Sequence, residues 1–193
     1  MVNVAIFASG GGTNFENLVS KEYKYANICL LIVDKEHAYA LQRALKLGIP
    51  YIYVNPKAFP SKKEYEEKIV EYLKTYKIDL IALAGYMRFI GKVLLTAYTN
   101  RIINLHPAYL PAFPGAHSIL DAYEAKVEYS GVTIHYVDEG IDTGEIIHQE
   151  KVRIKPNWSF DEFEEKIHEL EYKLFPVVLE RVCKEVSDET SID

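Results

Sequence analysis

The chain has 193 residues, 49% of them hydrophobic and 26% charged, which suits one ordinary globular domain. A net charge of −6 argues against wide contact with nucleic acid, and no apolar run approaches the ~18 residues that cross a membrane. Cys29 and Cys183 match no zinc or CxxC spacing, and the N-terminus lacks a signal-peptide pattern, so a reducing, cytoplasmic setting is expected.

Apolar runs alternate with helical patterns along the chain. Val2 to Ala8 is a predicted strand, followed by the loop Ser9-Gly10-Gly11-Gly12-Thr13-Asn14. Phe15, Leu18 and Val19 then fall at helical spacing. Ile28 to Val33 reads as a buried strand, Glu36 to Leu47 as a helix stopped by Gly48, and Tyr51 to Val54 as a short strand. Ser61 opens a helix to about Tyr76, with Glu64 in the capping-box position. Ile78 to Ala84 is a strand, Gly91 to Tyr98 a helix or turn, and Arg101 to Leu105 a strand halted at His106-Pro107. His117 to Lys126 looks helical, and Val132 to Asp138 and Ile146 to Ile154 read as strands. A last helix runs from about Asp161 to Val186 and contains Pro176, which removes one helical hydrogen bond.

Near-continuous apolar strands alternating with helices mean an α/β fold: a mostly parallel, Rossmann-like doubly wound sheet with helices on both faces. A single domain is expected over residues 1–186, with a polar tail over 187–193. Such sheets bind ligands beyond the carboxyl ends of their strands, which directs attention to the loops after Ala8, Ala84 and Leu105.

The glycine loop lets the backbone approach an anion at a helix N-terminus, so a phosphate-holding role is the leading reading. A dinucleotide site is a competitor, with Asp34 as its ribose acid, although Phe15 stands where a third glycine is needed. A Walker loop is excluded because no Gly-Lys-Ser/Thr follows, and a plain capped turn stays open.

Asn104 and His106 end a strand two residues apart and therefore share a face. Together they offer a carboxamide donor and an imidazole acid, the pair needed to hold an oxyanion and protonate a leaving nitrogen. The bland alternative is an Asn that caps a loop and a His that packs in it. Asp142, between glycines in Gly140-Ile141-Asp142-Thr143-Gly144, is the best candidate to orient the histidine, raise its pKa and favour its charged form. His135 either lines the same crevice or is a hydrogen-bonded core residue. The spacings of His106, His135 and Asp142 fit no zinc pattern, and no metal is expected.

These segments, with Ala84-Gly85-Tyr86-Met87-Arg88 and the run Asn104-Leu105-His106-Pro107-Ala108-Tyr109-Leu110-Pro111, come in the order of one family. The chain resembles the phosphoribosylglycinamide formyltransferases from Val2 to about Val182. The resemblance implies transfer of a formyl group from 10-formyltetrahydrofolate, as co-substrate, to the amine of phosphoribosylglycinamide in de novo purine synthesis. It implies Asn104, His106 and Asp142 as the catalytic trio, and Gly12, Thr13 and Asn14 as the phosphate site. It implies Met87, Arg88, Phe89 and Ile90 as the folate segment, together with Asn104. Lys62 resembles a basic folate contact and Glu171 a contact to the substrate amine. The implied partners are small molecules, with neither nucleic acid nor membrane, and a monomer or homodimer. Alternatives are a formyltransferase for a sugar amine, a 10-formyltetrahydrofolate hydrolase and a non-catalytic nucleotide-binding module.

Overall fold

A computed structural model describes residues 1–190 of the chain. One seven-stranded sheet has the order β3-β2-β1-β4-β5-β6-β7. Its strands are β1 (Val2–Ala8), β2 (Ala26–Val33), β3 (Tyr51–Tyr53), β4 (Leu80–Leu83), β5 (Ile102–His106), β6 (Tyr129–Tyr136) and β7 (Ile146–Arg153). The first five pair in parallel, and β6 and β7 extend the sheet antiparallel. The helices are α1 (Thr13–Val19), α2 (Tyr39–Leu47), α3 (Lys62–Thr75), α4 (Lys92–Ala97), α5 (Ser118–Glu124) and α6 (Phe160–Glu189).

The central strand shows why the sheet is covered twice. Side chains alternate across a strand, and along β1 Val4 and Ile6 enter one core while Ala5 and Phe7 enter the other. The first core contains Phe15 and Leu18 of α1, Ala40 and Ala44 of α2, and Phe163, Ile167 and Phe175 of α6. The second contains Tyr65, Ile69 and Leu73 of α3 and Leu94 of α4. The doubly wound sheet expected from the apolar runs is therefore formed. The chain builds β2 and β3 on one side of β1 and returns to β4 on the other, so the strand order reverses between β1 and β4. A crevice opens beyond the carboxyl ends at such a reversal.

Element ends differ from the sequence expectation where local turns intervene. The second helix starts at Tyr39 and not Glu36, because Ala38 N–H closes a turn on the Lys35 carbonyl at 3.2 Å. Ser61 caps α3 by accepting from Glu64 N–H at 3.2 Å. The reciprocal half of the predicted capping box is absent: the Glu64 carboxylate accepts from the Ser61 hydroxyl at 2.9 Å instead of from its backbone. The last helix passes through Pro176, which cannot donate to the Tyr172 carbonyl. The Asn17 carboxamide of α1 donates to that carbonyl at 3.0 Å and ties the two helices at the gap. The helix continues past the expected end at Val186 to Glu189, whose carboxylate pairs with Arg101 at 2.5 Å. Of the predicted tail, residues 191–193 lie outside the described residues.

Candidate active site

The crevice at the strand reversal is a cavity of about 580 Å³, within the ~300–1,000 Å³ typical of ligand sites. It is walled by the glycine loop, the loop after β4, the end of β5, the loop between β6 and β7, and one face of α6. Each predicted site residue lines it except Lys62.

The glycine loop is strapped down from behind. Gly10 carbonyl accepts from Ala40 N–H at 3.1 Å, and Gly11 carbonyl accepts from the Arg43 guanidinium at 2.7 Å. Arg43 is in turn ion-paired with Glu16 of α1. Gly12 caps α1 with φ of 73°, and no side chain occupies the cap, so the first N–H groups of the helix stay available. A β-carbon at Gly12 would lie 2.6 Å from the Ala40 β-carbon. Gly12→Ala is therefore expected to destabilise by about 1–3 kcal/mol, from the left-handed backbone and the clash together. A thermal melt checks this, and an unchanged Tm would contradict it.

Ser9, 2% exposed, joins this loop to the next one. Its N–H donates to the Gly85 carbonyl at 3.0 Å, and its hydroxyl accepts from Met87 N–H at 2.8 Å. Met87 and Phe89 are left projecting, 59% and 65% exposed, at the mouth of the crevice.

Strand register assembles the polar centre. Asn104 of β5 pairs across the ladder with His135 of β6. The Asn104 amide donates to His135 Nε2 at 3.2 Å and reaches Asp142 Oδ1 at 3.5 Å, a length at which little hydrogen bonding remains. His135 satisfies both expectations for it: it lines the crevice, and its Nδ1 donates to the Tyr136 carbonyl at 2.7 Å. His106 is 4% exposed, and its Nε2 lies 2.8 Å from the Phe113 carbonyl. A carbonyl only accepts, so Nε2 carries a proton and the exchangeable position is Nδ1. That nitrogen faces Asp142 Oδ2 at 3.5 Å.

Asp142 adopts φ of 54°, which turns its carboxylate back toward the histidines. Asp142 Oδ2 accepts from Gly115 N–H at 2.7 Å, joining the loop to the proline-rich segment after β5. Asp138 shapes the loop by accepting from Gly140 N–H and the Thr143 hydroxyl. Gly144 is required because a β-carbon there would fall on the Tyr136 carbonyl. His135, with help from Gly115 N–H and His106, lowers the Asp142 carboxyl to about 2, so it is ionised throughout the neutral range.

The titration of His106 corrects the sequence expectation. Asp142 does pull its pKa upward, but burial acts more strongly and sets it below the ordinary histidine value. The resting imidazole is therefore mostly neutral at pH 7, a proton acceptor and not a standing cation.

On the opposite wall, Glu171 is 4% exposed and accepts from the Asn14 amide at 3.2 Å and from His168 Nδ1 at 2.7 Å. The Glu171 hydrogen bond raises the His168 pKa. The Asn14 side-chain oxygen, Oδ1, is buried without a partner among the described residues. His168 was not legible as a site residue, because it meets Asn14's neighbourhood only after α6 folds across the sheet. Spacing gave one usable signal: on a helix, residues 168 and 171 share a face.

Lys62 stands outside the crevice. It opens α3 fully on the surface side, with its stem against Gly91. Asp34 also misses the lining, and so leaves the dinucleotide reading without its ribose acid.

A family model described as "Formyl transferase" matches residues 2–179. A phosphoribosylglycinamide formyltransferase from Bacillus subtilis is 44% identical over 185 residues, covering 94% of this chain and 95% of the relative. The crystal structure of glycinamide ribonucleotide transformylase 1 from Geobacillus kaustophilus superposes with a TM-score of 0.92 at 45% identity, covering 95% and 99% of the two chains. That of phosphoribosylglycinamide formyltransferase from Streptococcus pneumoniae gives 0.90 at 46%, covering 94% and 99%.

Proposed function

Because the chain belongs to the formyl transferase family, we propose that it moves the formyl group of 10-formyltetrahydrofolate onto the amine of phosphoribosylglycinamide, in purine biosynthesis. The observation that carries the reading is the junction of Asn104, His106 and Asp142 at the floor of a crevice reached from both the glycine loop and the loop after β4. No helix among the described residues is long and apolar enough to cross a membrane, and both cysteines are free thiols, in keeping with a cytoplasmic setting.

The N–H groups of Gly12, Thr13 and Asn14 receive the substrate phosphate. The folate head lies along Met87, Arg88, Phe89 and Ile90. Glu171 orders the acceptor and guides its amine toward the formyl carbon; its charge reaches His106. Both reactants are then held at one point, which alone supplies several kcal/mol of the barrier.

The neutral amine attacks the formyl carbon, and the C=O becomes a tetrahedral oxyanion. The Asn104 amide swings its second N–H from the long Asp142 contact to that oxygen. His106 Nδ1 takes one proton from the attacking nitrogen. The imidazolium so formed sits against ionised Asp142 and beside the oxyanion. It returns the proton to N10 of the folate as the C–N10 bond breaks, leaving a formamide and tetrahydrofolate. One proton passes from amine to N10, and the histidine ends neutral as it began. No metal takes part in this scheme, and a chelator is expected to leave the rate unchanged.

A phosphate dianion near the Glu171 carboxylate needs a positive neighbour. Among the crevice-lining residues the only Lys or Arg is Arg88, which stands over the Tyr65 ring on the folate side. His168 supplies the charge on the phosphate side. Glu171, Glu164 and the Tyr172 ring face it from its own helix, and Asn14 lies on the other flank of Glu171. Its raised pKa keeps it charged to higher pH than an ordinary histidine. The KM for phosphoribosylglycinamide should therefore rise once pH climbs past that value, and His168→Gln should flatten the rise. An unchanged KM–pH profile in the variant contradicts the role.

Acceptor choice tests the reading as a whole. With 10-formyltetrahydrofolate fixed, kcat/KM is compared for phosphoribosylglycinamide, for an amino sugar nucleotide and for water alone. Preference for the first is expected. Equal turnover without amine would make the protein a hydrolase, and preference for the second a sugar-amine transferase.

A further inference from the structure

Glu66 is a carboxylate that is 2% exposed and makes no contact with the crevice. Its two oxygens reach backbone N–H groups on another element: Oε1 accepts from Gly91 at 2.5 Å and Oε2 from Leu94 at 3.2 Å. Gly91 is the cap residue of α4 and offers no side chain to its own helix, so a residue of α3 supplies the cap from across the second core. Gly91 also directly follows the loop Tyr86 to Ile90 on which the folate head is placed above.

The preceding residue of α3 holds the other end of that loop. Tyr65 hydroxyl lies 2.8 Å from Tyr86 hydroxyl, and the Tyr65 ring carries the Arg88 guanidinium at 5.4 Å. Two consecutive side chains of α3 therefore clamp the segment at its start and at its end. Between them, Met87 N–H is fixed by Ser9. Met87 and Phe89 are exposed between these two ties, so the clamp sets where they stand.

Any larger residue at Gly91 would have to push the Glu66 carboxylate and the end of Lys62 aside. A β-carbon there would lie 2.7 Å from Glu66 Oε1 and 2.9 Å from the Lys62 stem. This close packing also gives Lys62 a place: it covers the clamp from outside.

We propose that Glu66 is a positioning residue for folate, acting through Gly91 on the loop after β4 and touching neither substrate. The proposal rests on the reading of residues 86–90 as the folate segment. A carboxylate accepts at both oxygens, whereas a carboxamide presents an N–H₂ to one of the two backbone donors. Glu66→Gln thus keeps the volume and breaks one bond of the clamp.

The test measures KM for each substrate separately in Glu66→Gln, Gly91→Ala, the double variant and Phe89→Ala, with a melt for each. Glu66→Gln is expected to raise KM for 10-formyltetrahydrofolate roughly tenfold, the size of one lost charge-assisted hydrogen bond, with KM for phosphoribosylglycinamide within about twofold. Gly91→Ala displaces the same carboxylate and should give the same split even if Glu66→Gln folds poorly. The double variant should be no worse than either single one, because both break a single contact. A lowered Tm with both KM values unchanged would make Glu66 a helix cap alone and overturn the proposal. Phe89→Ala separates the two levels. If it leaves the folate KM unchanged, the loop is not the folate segment; if it raises that KM while Glu66→Gln does not, only the role of Glu66 is lost.

Discussion

His106→Ala is expected to lower kcat by roughly 10²–10⁴-fold, the usual contribution of a positioned acid–base group, while KM for both substrates changes little. The split follows from the geometry. Nε2 of His106 is held by the Phe113 carbonyl, deep in the floor, and Nδ1 is the atom that exchanges a proton. Removing the ring takes away the proton carrier and the transient cation, but neither the glycine loop nor the loop after β4. In the wild type, burial sets the His106 pKa below the ordinary value, so the acid limb of kcat at saturating substrate should fall below pH ~6.5, and kcat should be flat above it. The alanine variant should lose that limb. Retention of kcat within about twofold would remove His106 from the chemistry.

Asp142→Asn is expected to cost roughly 10²–10³-fold in kcat. The substitution keeps size and leaves an acceptor for Gly115 N–H, but removes the charge that faces both histidines. A pair of charges ~4 Å apart at an effective dielectric of ~20 is worth about 4 kcal/mol, an upper bound near 10³-fold for the imidazolium formed during transfer. The same loss lowers the His106 pKa further, because Asp142 is among the groups that raise it. The acid limb should therefore move to lower pH even as the plateau drops. A purely structural Asp142 would lower Tm and leave the limb in place. Stability has its own signature. The folded Asp142 carboxyl, at about 2, is below its ordinary 3.8, so its ionised form stabilises the fold above pH ~4. That contribution is lost as pH falls from there through about 2.

Strands were legible because burial on both faces leaves unbroken apolar runs, and β1 was predicted at the limits it has, Val2–Ala8. The pairing of Asn104 with His106 was legible from the two-residue period of a strand. The partner His135 was not assignable, since only the antiparallel register of β5 and β6 sets it opposite Asn104. The charge state of His106 went the other way from expectation because a nearby carboxylate can be guessed from a loop motif, whereas the depth of burial is a property of the whole sheet. Lys62 has no place among the crevice-lining residues; its stem lies instead beside Gly91, just after the loop that follows β4. Glu66 and His168 act across separations of 25 and more than 150 residues, through Gly91 and through Glu171 to Asn14, and no local pattern signals such contacts.

The most direct measurement follows the formyl carbon itself. Protein is mixed with 10-formyltetrahydrofolate labelled at that carbon and with phosphoribosylglycinamide, in the presence of a chelator, and the label is located. It should appear as an N-formyl group on the glycinamide, in amounts equal to the tetrahydrofolate formed, and only when both substrates are present. Label released as free formate at the same rate with or without the amine would contradict the account.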